Sequence, residues 1–255
     1  MSAGIYSDAK KLTLKGVIAT AIAVLLPALP AFGQDSAIYV QCPDMDDTDP
    51  TVDCIHLVGG DGMVRMADGR DMYIFSFAEL PLPGSPDVPG YPAAPGDLSY
   101  ADWTMDEGIL AANAPAPTIT LDEDDELYLT LTNVGMAVRP DLFDAHTVHW
   151  HGFPEASSVF DGVPDASISI NMGASLTYYY QANDAGTYMY HCHVEATEHM
   201  QMGMLGNLWV RPRQNRCPIA DGEPGAGLPG STCPDGHTDG DLSLIHISEP
   251  TRPKR

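Results

Sequence analysis

Met189-Tyr190-His191-Cys192-His193, continuing through Val194-Glu195-Ala196-Thr197-Glu198-His199-Met200-Gln201-Met202-Gly203-Met204, is the stretch around which the 255-residue chain is organised. Its approach, Gly186-Thr187-Tyr188-Met189-Tyr190, is rich in aromatics and follows turn residues at Asn183-Asp184-Ala185-Gly186, which predicts a strand. Side chains alternate along a strand, so Cys192 faces one way while His191 and His193 face the other. A second stretch, Asp144-Ala145-His146-Thr147-Val148-His149-Trp150-His151-Gly152, obeys the same parity. His149 and His151 share a face, and His146 falls on the opposite one. Two donor sets follow: His146, Cys192 and His199 with a methionine, and His149, His151, His191 and His193.

A cysteine, two histidines and a weakly held methionine are the ligand set of a blue-copper electron-transfer site. The axial position is open between Met204, five residues after His199, and Met202, with Met200 a weaker candidate; Met204 is preferred. An isolated histidine on a strand is ordinarily a hydrogen-bonded structural residue, and an isolated cysteine is ordinarily buried and inert. Six of the nine histidines fall between positions 146 and 199 with this parity, which outweighs that reading. The Met200, Met202, Met204 alternation is read as apolar packing apart from one ligand.

His-x-x-His-x-His-Gly followed by His-Cys-His…His-x-x-x-Gly-Met resembles the multicopper oxidase family, and more closely its two-domain, laccase-like members with the blue copper in the first domain. The resemblance spans about Ala116 to Pro212. It implies that His146, Cys192, His199 and Met204 are type 1 copper ligands. It further implies that His149 binds the type 2 copper, and that His151, His191 and His193 bind the type 3 pair. In this family the cysteine takes an electron at the type 1 copper. Its flanking histidines deliver it to a trinuclear cluster that reduces dioxygen to water. His191, Cys192 and His193 are then the electron path. The sequence departs from the common three-domain enzymes in placing His199 seven residues after Cys192, two more than usual, which is what keeps the axial ligand open.

Lys10, Lys11 and Lys15 precede an apolar run from Gly16 to Ala31 and small residues at Ala31 and Gly33. That is the pattern of a signal peptide over residues 1–33, giving a mature start at about Gln34 and a periplasmic or extracellular location. The run is short for a membrane span and contains Pro27 and Pro30. Export permits disulfides, so the five cysteines read as the ligand Cys192 plus the pairs Cys42–Cys54 and Cys217–Cys233. Spacing alone does not fix that connectivity. The chain carries a net charge of −23, and the segment 34–241 has no lysine at all. Such acidity argues against nucleic acid or anionic membranes as partners and favours cationic ones. Asp44, Asp46, Asp47 and Asp49 lack the spacing of a twelve-residue calcium loop and read as a solvated acidic loop.

Short strand signals recur at Ile38-Tyr39-Val40, Met72–Phe77, Thr118–Leu121, Leu127–Leu131, Ser167–Ile170, Leu176–Tyr180 and Leu208–Val210. Thr118–Leu121 and Leu127–Leu131 flank an acidic turn. Ser167–Ile170 and Leu176–Tyr180 read as a second pair across Asn171-Met172-Gly173-Ala174. Seven or eight such strands predict an all-β, Greek-key β-sandwich, which the resemblance narrows to a cupredoxin (plastocyanin-like) domain over residues 34–212. Residues 81–117 form a Pro/Gly-rich loop within it, with Tyr100 and Trp103 expected to anchor it to the core.

Residues 213–241 read as the start of an interdomain linker. Residues 242–255 are similar to the translation of a sequencing adapter, which removes His246 from the candidate ligands. The chain is therefore expected to have continued into a second cupredoxin domain, missing here. The family's cluster uses four His-x-His pairs and two are present. In two-domain members the rest often come from a neighbouring subunit of a homotrimer. The resemblance implies copper as cofactor, dioxygen and a reducing substrate (a phenol or a low-valent metal ion) as partners, and little oxidase activity for this chain alone. Glu195 or Glu198 is a candidate proton relay. The alternatives are a single-domain electron carrier, an exported copper-binding protein, and a nitrite-reductase-like copper enzyme. That last family has Asp where His149 stands and no His at 193.

Overall fold

The alternation read from the sequence becomes eight strands and two α-helices, with a short 3-10 turn at Ser158–Phe160, in a computed structural model, which describes residues 38–45, 48–85, 98–154 and 156–212. In chain order these are β1 (Val52–Arg65), β2 (Asp71–Leu80), α1 (Leu98–Gly108), β3 (Ile119–Asp122), β4 (Glu126–Gly135), β5 (His149–His151), β6 (Ser175–Gln181), β7 (Gly186–His191), α2 (Ala196–Met202) and β8 (Leu205–Arg211). One sheet has the order β2-β1-β4-β6 and the other β3-β8-β7-β5. β1 runs parallel to β4 and β3 parallel to β8, while the remaining pairs are antiparallel. This is the expected all-β sandwich, built of two four-stranded sheets. The signal segment, the linker, the adapter-like tail and the Cys217–Cys233 pair lie outside the described residues.

Burial follows the period of two. Leu127, Leu129 and Leu131 of β4, Leu57 of β1 and Tyr178 and Tyr180 of β6 turn inward from one sheet. Trp150, Tyr190, Leu208 and Val210 meet them from the other, all at 1% exposure or less. Trp150 stacks on Tyr180 with ring centroids 3.9 Å apart, and Phe77 packs against Tyr190 at 5.8 Å. Each such large side chain contributes about 1.5–3 kcal/mol by leaving water. The outer face of the first sheet is closed by α1. Trp103 packs on Val58, Leu80 and Val134, and Tyr100 stacks on Trp103 at 5.3 Å. Buried His56 joins this layer, bonding Tyr100 through Nδ1 and Thr132 through Nε2, both at 2.8 Å.

Several strand expectations need correction. Ile38 and Val40 are buried, but residues 38–40 join no ladder. The acidic turn after β3 is a corner between sheets and not a hairpin, since β3 pairs with β8 and β4 with β1 and β6. Ser167–Ile170 does not pair with β6 either; Ile170 makes an isolated bridge to His146. The loop over 81–117 contains the helix α1. β1 itself, a central strand, goes unannounced because Gly59-Gly60-Asp61-Gly62 reads as a turn. A side chain at Gly60 would lie 2.8 Å from the Gly135 carbonyl oxygen, and one at Gly62 would collide with that of Ala112. These glycines mark close backbone approach within a strand. The Cys42–Cys54 disulfide is formed, tying the segment before β1 to β1.

Candidate metal centre

β7 ends at His191, so Cys192 leaves the strand still held by its own backbone: its N–H donates to the Met204 carbonyl at 3.2 Å. The chain then turns at Glu195, whose φ of 45° lies in the left-handed region, and α2 carries His199 back over the sulfur. The other imidazole arrives on the loop between β4 and β5. His146 exchanges two backbone hydrogen bonds with Ile170, and Asn133 donates to the carbonyls of Asp144 and Ile170, both at 2.9 Å.

The result is a closed pocket. The donor atoms of His146, Cys192 and His199 lie within 4.8 Å of one another. His199 Nδ1 is 3.3 Å and His146 Nδ1 4.0 Å from Cys192 Sγ. All three residues, and Met204, are fully buried. A Cβ added at Gly59 would sit 3.0 Å from the His146 ring and 3.5 Å from the Met204 methyl, so Met204 reaches the same pocket. Met202 is only partly buried against the core, and Met200 is half-buried. Of the three axial candidates, Met204 alone is fully enclosed.

The donor chemistry fits copper. Burial, with the neighbouring His199 imidazole, lowers His146 to about 3, leaving a neutral ring with a lone pair to give. Burial pushes the Cys192 thiol up to about 11, so a thiolate there needs a cation beside it. A soft thiolate with imidazoles suits copper.

The second set gathers on the other side of the same peptide. The donor atoms of His149, His151 and His191 lie within 4.8 Å of one another. The His193 ring is centred 5.1 Å from that of His149 and 5.7 Å from that of His191. β5 pairs with β7 in a register that sets His149 opposite His191. His149 Nδ1–H donates to the Asp161 carbonyl at 2.6 Å, and His191 Nδ1–H to that of Cys192 at 2.8 Å. Both rings thereby keep Nε2 as a lone-pair donor. His193 is fixed through its backbone N–H, which donates to Thr147 Oγ1 at 3.1 Å. Burial, the larger cause, and the adjoining imidazoles lower the His191 pKa. Exposure is graded here: His191 is buried, His149 and His193 are intermediate, and His151 is exposed.

All eight proposed ligands are therefore brought into two groups. Glu195 and Glu198 are exposed, and the Glu195 carboxylate stands with Asp144 and His199 instead of with the four imidazoles. Gly59, Asn133, Thr147 and Asp161 escaped the sequence reading. Each acts by space or by a backbone contact, and neither leaves a residue-type signature.

A family model described as "Multicopper oxidase" matches residues 99–215. Among curated proteins, multicopper oxidase MCE of Talaromyces pinophilus is 37% identical over 103 residues, covering 40% of this chain and 16% of that protein. Laccase-1 of Emericella nidulans is likewise 37% identical over 103 residues, covering 38% and 15%. The matches thus span about a sixth of those relatives' length. A solved structure titled as a blue copper oxidase from Nitrosomonas europaea is 29% identical, covering 63% of this chain and 39% of that one with a TM-score of 0.45. Residues 99–215, which bring a cysteine-centred and a histidine-centred donor group side by side, are thus the part of the chain that matches the multicopper oxidase family.

Proposed function

We propose that the chain is the electron-accepting domain of an exported copper oxidase. His146, Cys192, His199 and Met204 hold a type 1 copper. His149 contributes to a type 2 site, and His151, His191 and His193 to a type 3 pair. When bound, copper supplies one-electron redox chemistry in the pocket and the reduction of dioxygen to water at the clustered imidazoles. The observation that carries this reading is the bonded adjacency of the two groups. Cys192 is joined through its own peptide bonds to His191 and His193, so sulfur and imidazoles share a continuous covalent route for electrons.

The chain's residues divide the remaining work. The buried pocket excludes water from the sulfur, which favours a stable metal–thiolate bond over oxidation. Asp161 and the Cys192 carbonyl fix the tautomers of His149 and His191. The half-open imidazole patch supplies four of the family's eight histidines, and the others come from a further domain or a neighbouring subunit. Export is supported by the Lys10-to-Gly33 pattern and by the formed Cys42–Cys54 disulfide. No helix among the described residues is long and apolar enough to cross a membrane.

Copper loading of the full chain tests the reading. The protein should turn intensely blue with one copper in the pocket, and Cys192→Ser should remove the colour. A copper-loaded, colourless wild type overturns it.

A further inference from the structure

Asp61 is fully buried, yet among the described residues no ion pair reaches it. It stands in β1 just past the point, between Gly59 and Gly60, where the register with β4 shifts. Both of its carboxylate oxygens accept hydrogen bonds. The Ala137 N–H donates to Oδ1 at 2.9 Å, the Val138 N–H to Oδ2 at 2.8 Å, and the Tyr73 O–H to the same Oδ2 at 2.8 Å. Ala137 and Val138 lie just beyond the end of β4, at the start of the loop that leads to His146. A side chain that only filled space here would be apolar, because a buried charge is costly and contributes little net stability. Three directed bonds from three segments point to a different task.

Two lines of contact run from this carboxylate to the sulfur pocket. Along the first, Asp61 pins one end of the His146 loop and Asn133 holds the other by donating to the Asp144 carbonyl. Gly59, two residues before Asp61 on the same strand, leaves the space beside the His146 ring and the Met204 methyl. Along the second, the Tyr73 ring meets Phe75 edge-on with centroids 5.5 Å apart, and Phe75 meets the His199 ring edge-on at 5.9 Å.

We infer that Asp61 is a positioning residue for the copper pocket, fixing the spacing of His146 and His199 about the Cys192 sulfur through the loop and through the Tyr73–Phe75 rings. The inference rests on the type 1 reading of Cys192. A metal site keeps its affinity when the groups behind the ligands are held as firmly as the ligands themselves, and loss of such a support typically weakens binding about 10–100-fold. Asp61 meets that need for both imidazoles at once, since one carboxylate is tied to the backbone on one side and to the ring stack on the other.

The test uses the full chain as wild type, Asp61→Asn, Tyr73→Phe and Thr130→Val. Asparagine keeps the shape, but whichever way its amide turns, the NH2 faces a backbone N–H. Phenylalanine keeps the ring on Phe75 and removes only its tie to Asp61. Thr130, buried in the same sheet and bonded to Thr177 at 2.8 Å, alternates with inward-facing Leu129 and Leu131 and so reports the loss of a polar contact on the face away from the core. In copper-free protein, hydrogen exchange at the Ala137 and Val138 amides should speed up at least tenfold in Asp61→Asn and stay within about twofold in Thr130→Val. In copper-loaded protein, bleaching the blue band should need at least tenfold less EDTA in Asp61→Asn, at least threefold less in Tyr73→Phe, and an amount within about twofold of wild type in Thr130→Val. Unchanged exchange or unchanged EDTA resistance in Asp61→Asn overturns the inference. So does an equal loss in Thr130→Val, which marks a general loosening of the fold. A wild type that develops no blue band overturns the type 1 reading instead, and the exchange comparison then decides whether Asp61 holds the loop. Should Asp61→Asn not fold, Tyr73→Phe carries the EDTA measurement, and wild-type resistance there overturns the inference.

Discussion

The sulfur pocket and the imidazole patch hang from opposite faces of one short segment, yet they differ in completeness. His146, Cys192, His199 and Met204 are fully buried and enclosed by β1, the β4–β5 loop and α2. In the patch, burial falls away from His191 through His149 and His193 to exposed His151. The difference shows what strand parity settles and what it leaves over. Alternation assigns each donor to a side, but enclosure depends on what the rest of the fold brings over that side. The pocket is closed by this chain, whereas the patch keeps an exposed face.

The largest expected effect separates the two directly. Cys192→Ser should abolish the blue band while leaving the patch's copper uptake intact, measured by metal analysis and copper resonance spectra. Simultaneous loss at both would show the two groups to be one unit. Next comes Gly59→Val, which pushes a side chain into His146 and Met204. Overpacking of this kind should destabilise the fold by about 1–3 kcal/mol and broaden or weaken the blue band, read by urea unfolding and absorbance.

Acid probes the same contrast through a residue outside both groups. Burial holds His56 near 3, against 6.5 for an ordinary histidine. The unfolded chain therefore takes up a proton that the folded chain refuses. Stability is unaffected above pH 6.5 and falls by about 1.4 kcal/mol per pH unit from there toward pH 3. His56→Gln should remove that slope in urea titrations. In metal-free protein His146, also near 3, adds a second slope of the same sign, so the residual slope of the variant reports the pocket. The smallest effect is expected at Glu195. Its left-handed backbone favours glycine, so Glu195→Gly should raise stability by about 1 kcal/mol, or about 2–4 °C in Tm, without altering the blue band.

Much of the candidate site was legible because cysteine and histidine are rare residue types and strands have a period of two. His146, His149, His151, His191, Cys192 and His199 needed only spacing, and Met204 only a choice among neighbours. The sandwich itself followed from clean alternation at Leu127–Leu131 and Leu176–Tyr180. β1 was hidden because close backbone packing demands glycine, the residue that otherwise marks turns. Strand partners were hidden too. Short turns suggest hairpins, whereas here the corner after β3 sends the chain into the opposite sheet. Asn133, Thr147 and Asp161 act through backbone contacts that no local pattern announces.

The parallel pairing of β1 with β4 has a kinetic consequence. Strands so far apart along the polypeptide meet only after a long loop has closed, and such topologies fold slowly. Gly59, which leaves room for His146 and the Met204 methyl, sits in the earlier of those two strands. The pocket is therefore completed only once that pairing has formed, and refolding rates are expected to be the same whether or not copper is present in the buffer.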